Sequence, residues 1–356
     1  MAFANADEWT DESGGIEKRN MEEKTTLNIT YILGNGYDIQ LGLKTAYSDF
    51  YEYLIKNRSK ELENNSIFKE IVSDKIGYWS DFELALGKYT KYLKAEDEGV
   101  AILLSDQVDE LLIELADYLQ IEEKRLSTSL NSSHISSFDK SLIVGNLKEK
   151  EQDIITNLLN SDSFNGKVNF NFISFNYTSS IDKYVQLLRN NYSYFIGKDC
   201  IINLPLHVHG SLGNYPIIGV NDESQLALNS HIELKDSLIK SRQNEEIGSY
   251  CRENGFKVLE SSDLIIIYGV SFGETDMEWW QAITKASQEN NTPIIIYQFV
   301  EALNLNSPRQ LKIETRSAKN RLLMHSNLNH EERKDLESKI FVVLSKNLFK
   351  FPILEK

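Results

Sequence analysis

The chain has 356 residues, enough for one large domain carrying an insertion or for two domains. A hydrophobic fraction of 41% supplies an ordinary globular core, and 53 acidic against 38 basic residues leave a formal charge of −15. Such a surface does not invite nucleic acid or anionic membrane, although backbone amides can still hold a phosphate locally.

The cysteines, Cys200 and Cys251, are far apart and form no CxxC pair. A zinc ribbon is excluded, no zinc is expected, and the composition fits a reducing, cytoplasmic setting. There is no secretory h-region, and the longest apolar runs, such as "LIIIYGV", are too short to span a bilayer.

Residues 1–26 are polar and acidic and read as a mobile tail. The run "NITYIL" (28–33) predicts a buried strand stopping at Gly34, Asn35 and Gly36. Thr45 reads as the N-cap of a helix in which Tyr47, Phe50, Tyr51 and Leu54 share one face. Residues 60–165 read as a helical insertion or subdomain, with Val108, Leu111, Leu112, Leu115 and Leu119 on one stripe and a loop at 127–137. Within it "WSDFE" (79–83) reads as a helix start, Ser80 capping and Glu83 at the capping-box position.

Strand signals return at 169–176, 204–210, 215–220, 263–270, 292–299 and 339–344. Solid β-branched runs alternating with helices predict a Rossmann-like α/β fold: a mostly parallel sheet with helices on both faces, formed by 27–59 and 166–356. In such sheets ligands bind beyond the carboxyl ends of the strands.

Polar residues collect at four of those ends. They are Gly34-Asn35-Gly36-Tyr37-Asp38, Asn176 with Thr178, His207-Val208-His209-Gly210-Ser211, and Gly269, Ser271, Gly273 and Asp276. The glycine loop is neither a Walker A loop nor a full G-x-G-x-x-G, since Ile39 interrupts it. It is either a tight Asn-Gly turn or a backbone bare enough to approach a diphosphate. His207 and His209, at i and i+2 on a strand, face opposite ways and suit a shared metal poorly. His207 reads as structural, and His209, beside Gly210, as the general-base candidate. Asn176 either ties loops together or holds a ligand, and Asp38 and Asp276 cap helices or serve the site.

Together these residues resemble a family. "LGNGYDIQLGLKTAYSDF" is similar to the opening signature of the AbiH abortive-infection proteins, roughly "GNGFD…GLPT.Y.DF". "FNYT", "HVHG", "IIGVND" and "YGVSFGETD" resemble its later blocks in the same order, over about 28–280. Lys44 stands where that pattern has proline. AbiH proteins are more distantly similar to sirtuin-like NAD hydrolases, whose glycine loop, Asn, His-Gly-Ser and Gly-x-Ser correspond in order to Gly34–Gly36, Asn176, His209-Gly210-Ser211 and Gly269-Val270-Ser271.

The resemblance implies an antiphage effector that cleaves NAD, its substrate, at the nicotinamide–ribose bond. Asn176 would orient water or ribose hydroxyls, and His209 would take a proton. Gly34, Asn35, Gly36, Tyr37, Asp38, Thr45, Gly210, Gly269, Ser271 and Asp276 would hold the nucleotide; Asp38 either bonds a ribose or orders the loop. Such an activity must be silent until infection, so a homo-oligomer or regulatory partner is expected, with region 60–165 as its gate. The rivals are a nucleotide sensor without turnover and a metal-dependent phosphoesterase or nuclease using His207, His209 and Asp222.

Overall fold

The computed structural model describes residues 25–73, 82–90, 98–126, 143–164, 166–226 and 232–349. Most of the expected tail, the Ser80 cap and the 127–137 loop lie outside these residues. Eight strands form one sheet: β1 (Leu27–Leu33), β2 (Lys167–Ser174), β3 (Tyr194–Phe195), β4 (Lys198–Ile202), β5 (Leu206–His207), β6 (Leu264–Tyr268), β7 (Ile294–Gln298) and β8 (Ile340–Leu344). Their order is β3-β4-β2-β1-β6-β7-β8, with β5 extending the pairing of β2. Every pairing is parallel except β3 with β4. Without β3 and the short β5, the parallel strands follow the 3-2-1-4-5-6 order of dinucleotide-binding folds, reversing direction between β1 and β6.

Strands β6, β7 and β8 are buried on both faces, which is why they read as solid apolar runs. On β6, Leu264, Ile266 and Tyr268 join one core and Ile265 and Ile267 the other. The first core is closed by α6 (Glu149–Leu159) and α7 (Ser180–Asn191), through Ile155, Leu159, Tyr184 and Leu188. The second is closed by α10 (Cys251–Ser261), α11 (Met277–Asn290), α12 (Pro308–Leu323) and α13 (His330–Lys339), with Trp279, Trp280 and Ile283 at its centre.

A third core belongs to the helices α2 (Tyr47–Asn57), α3 (Ser66–Ser73), α4 (Phe82–Tyr89) and α5 (Glu98–Lys124). The stripe expected on α5 buries Val108, Leu111, Leu115 and Leu119, and α2 buries Phe50 and Leu54. These side chains meet Ile218, Val220, Leu238 and Ile239, so this layer packs against the chain that follows β5. The far end of the expected insertion behaves differently, because α6 packs against the sheet. Among the described residues no helix is long and apolar enough to cross a membrane.

The differences from the sequence reading are local. Of 204–210 only Leu206–His207 pairs, and 215–220 forms only an isolated bridge at Val220. Pro205 and Pro216 interrupt both runs, and Gly219 sits at φ 156 against the carbonyl of Leu238, a backbone no regular strand adopts. Strand β4, "KDCII", carries no continuous apolar run because its residues are mostly half-exposed. Thr45 is not the N-cap of α2. Ala46 holds that position, and the Thr45 hydroxyl donates to the Asn35 side chain instead.

Candidate functional site

The loops after β1, β2, β5 and β6 all lie at the carboxyl edge, because these strands are mutually parallel. Their first contents are backbone. Gly34 donates its amide to the Tyr268 carbonyl at 3.0 Å, and Gly36 donates to Gly269 at 2.9 Å. A Cβ on Gly36 would stand 2.5 Å from Gly269 Cα, and Gly269 itself has φ 68. The bare backbone therefore lets two loops touch at the point where the strand order reverses. Gly36→Ala is expected to force them apart and cost about 1–3 kcal/mol in urea unfolding, as overpacking does; an unchanged midpoint would contradict this contact.

The remainder of the glycine segment is also turned inward. Asn35 donates from its side chain to the Thr45 carbonyl at 2.9 Å, closing the loop on itself. Tyr37, on the short helix α1 (Gly36–Gln40), is fully buried and meets the Phe349 ring edge-on at 5.1 Å. Asp38 is buried and accepts hydrogen bonds from Thr178 (2.7 Å) and Ser180 (2.5 Å) at the start of α7. Its carboxylate thus ties the β1 loop to the β2 loop and caps neither helix.

Burial pushes the Asp38 carboxyl up to about 6, with the Ser180 and Thr178 hydroxyls opposing that rise. An acid whose folded pKa lies above its unfolded value stabilises the fold below about pH 3.9. That contribution is lost as pH rises through about 6. Asp38→Asn is expected to flatten the stability profile between pH 5 and 7.5 by about 1.4 kcal/mol, since about one unit of the gap between its folded and unfolded pKa falls in that window. Urea midpoints at both pH values test this, and an unchanged slope would overturn it.

Beside Asp38 lies the β2–β5 junction. His207 bonds through Nδ1 to the Asn176 carbonyl (2.9 Å) and through Nε2 to Asp182 (2.8 Å), so it holds backbone in place. Burial opposes its charged form, but Asp182 and the Asn176 carbonyl raise its pKa above the ordinary value. Asn176 is 5% exposed, and its side-chain Nδ2 has no hydrogen-bond partner among the described residues. A buried donor without a partner costs free energy unless something else accepts from it.

His209 is also 5% exposed. Its ring packs edge-on to Phe175 at 5.0 Å and tilted against Tyr177 at 6.5 Å, the two neighbours of Asn176. Gly210 at φ 68 lies so near Tyr215 that any Cβ would strike the Tyr215 carbonyl, and Ile217 donates to the His209 carbonyl at 2.8 Å. His209 Nε2 stands 2.8 Å from Asp276 Oδ1, within ion-pair distance although off the line of a hydrogen bond.

The same Asp276 oxygen accepts from Lys240 Nζ at 2.8 Å, and Lys240 also donates to Glu83 Oε2 at 2.7 Å. Thr275 donates to Glu83 at 2.8 Å, and Tyr47 does so at 3.2 Å. Glu83 comes from α4, Tyr47 from α2, and Lys240 opens α9 (Lys240–Glu246), which follows α8 (Ile232–Leu238). Burial alone would raise the Asp276 carboxyl; Lys240 and then His209 overcome it and hold the group well below the usual carboxylate range. Burial likewise opposes the Lys240 charge, and Asp276 and Glu83 overcome that.

Glu83 and Lys240 are the site residues that the sequence reading missed. The capping-box spacing explained Glu83 too readily, and a buried lysine looks like any other lysine in "LIKSRQNEE". Ser271, by contrast, is exposed at the end of the β6 loop. The residues of a metal-dependent site are not gathered: Asp222 caps the turn before Gln225 by accepting from the Ser224 amide, and His207 faces Asp182. Among the described residues no group of three or more His, Cys, Asp or Glu side chains is arranged to hold a metal ion.

A parallel sheet in this order, with a buried Asn, a His–Asp pair and a lysine-bridged carboxylate cluster beyond its carboxyl ends, defines a Rossmann-like protein with a candidate active site at that edge. Residues 30–298 match the family described as bacteriophage abortive infection AbiH, and the chain belongs to that family. Its role is accordingly in abortive infection by bacteriophage. Among curated proteins, none matches the chain.

Proposed function

We propose that this site cleaves NAD at the nicotinamide–ribose bond when infection triggers it. The observation that carries the reading is Asn176 Nδ2, without a partner among the described residues and buried beside a His209–Asp276 pair at the edge where such folds bind dinucleotides. The order of glycine loop, Asn, His-Gly-Ser and Gly-x-Ser along the chain, similar to sirtuin-like NAD hydrolases, supports it.

The reaction passes through an oxocarbenium-like state, and nicotinamide departs neutral, so no protonating acid is needed. Asp276, facing Nε2, favours the imidazole tautomer that carries its proton there and leaves Nδ1 as the base. His209 then takes a proton from water or a ribose hydroxyl, while Asn176 Nδ2 donates to the oxygen being positioned. The amides of Gly34 and Gly36 are engaged with β6, so the diphosphate would rely on other donors, with Ser271 the exposed hydroxyl at this edge.

His209 and Asn176 are buried, so substrate reaches them only if a covering element moves. Tyr47 and Glu83 bring α2 and α4 onto the cluster, which makes the helical layer the gate of a resting enzyme. Burial also favours a second reading, a sensor that binds nucleotide without turnover. Cellular NAD distinguishes them: in phage-infected cells it should collapse with the parent chain and persist with Asn176→Ala at equal protein level. Unchanged NAD with the parent would favour the sensor.

A further inference from the structure

In a chain of charge −15, several cations outside the site are held by acids. Arg58, Arg125, Lys183, Lys235, Arg242, Arg252 and Lys339 are all ion-paired. One face instead gathers several cations side by side without acids between them. An open groove of about 840 Å³ runs along α12 and is lined by Arg309, Lys312, Arg316, Arg321 and, from α13, Arg333. Among the described residues no acid lines it. None of these cations forms an ion pair with a described residue. Arg321 donates to Gln298 at the end of β7, and its buried Nε has no hydrogen-bond partner among the described residues; Glu314 is the acid that bears on it. The groove lies beyond residues 30–298, so membership of the family says nothing about it.

We infer that this groove binds the phosphate backbone of a single nucleic-acid strand. Arg309, Lys312 and Arg316 recur at three- and four-residue spacing, which places them on one helix face over about 10 Å. A linear array of cations suits a chain of repeating phosphates better than one compact anion. Ile313 and Met324 are 52% and 61% exposed in the same groove, offering apolar surface to bases between the charges. Ser317 and Asn320 add neutral donors. The groove is open, as an extended polymer needs, whereas small-molecule sites enclose their ligand. The chain-wide charge argues against nucleic acid only as an average, and binding by a local basic face is strongly salt-dependent.

The test is fluorescence anisotropy of the full chain with a labelled oligothymidylate 12-mer across a salt series. Binding should weaken linearly in log salt. The double variant Lys312→Glu/Arg316→Glu should bind about tenfold or more weakly at 50 mM salt, with a slope shallower by about 1.4. The equally charged control Lys257→Glu/Lys285→Glu, on α10 and α11, should bind nearly as the parent does. Three results would each overturn the proposal: no binding at 20 mM salt, an equal loss in the control, or displacement of the oligonucleotide by polyglutamate at equal charge concentration. Circular dichroism checks that the exposed substitutions leave the fold intact.

Discussion

His209→Ala is expected to lower NAD cleavage by about 10²–10⁴-fold, the usual contribution of a positioned general base. The loss should appear in kcat with little change in KM, because the proton is taken in the transition state and not on binding. The ring also packs against Phe175 and Tyr177, so its removal opens a small cavity. His209→Gln fills more of that space without restoring a base. Equal inactivity of both variants, with unfolding midpoints close to the parent, would assign the effect to chemistry. Activity within threefold of the parent in either variant would remove His209 from the mechanism.

The largest effect on stability is expected at Lys240. Lys240 is 5% exposed, and its ammonium lies between two carboxylates, Glu83 and Asp276. Lys240→Met preserves the length of the side chain but leaves those carboxylates buried without their cation. Breaking a buried pair from one side costs about 3–5 kcal/mol. Asp276 also adds a pH signature. Its folded pKa is depressed, so its contribution is present above the unfolded value near 3.9 and is lost as pH falls through the folded one. Removing Lys240 should therefore cost more at pH 7 than at pH 3. Glu83→Gln in the same chain should recover part of the loss, because it withdraws one of the unpaired charges. A loss below about 1 kcal/mol at pH 7 would mean that the cluster is solvated and that the helical layer is not anchored through it.

Much of this architecture was legible because its signals are local. Continuous isoleucine runs marked β6 and β7, where both faces are covered, and the residues just after β1, β2, β5 and β6 marked the edge of the sheet. What was not legible depends on long-range pairing. Gly34 and Gly36 signalled bare backbone, but only the fold reveals that the backbone they approach is Gly269. Glu83 and Lys240 are separated by 157 positions, and neither carries a pattern that announces the other. Strand β4 failed the apolar test because it is only half covered. Thr45 satisfied a capping rule and went to Asn35, a competing local partner. Residues 60–165 read as one helical insertion, yet α6 packs on the sheet while α3 to α5 pack with the chain after β5. Helical periodicity gives a buried face without saying what covers it.

Nicotinamide release decides whether this chain cleaves NAD. Purified chain, with no added metal, is incubated with NAD beside Asn176→Ala, and nicotinamide and ADP-ribose are quantified. The assay is repeated in extracts of phage-infected cells, where the resting state is relieved. Equimolar nicotinamide and ADP-ribose are expected from the parent in at least the infected extract, and neither with Asn176→Ala. NAD left intact by the parent under both conditions would contradict the proposed cleavage.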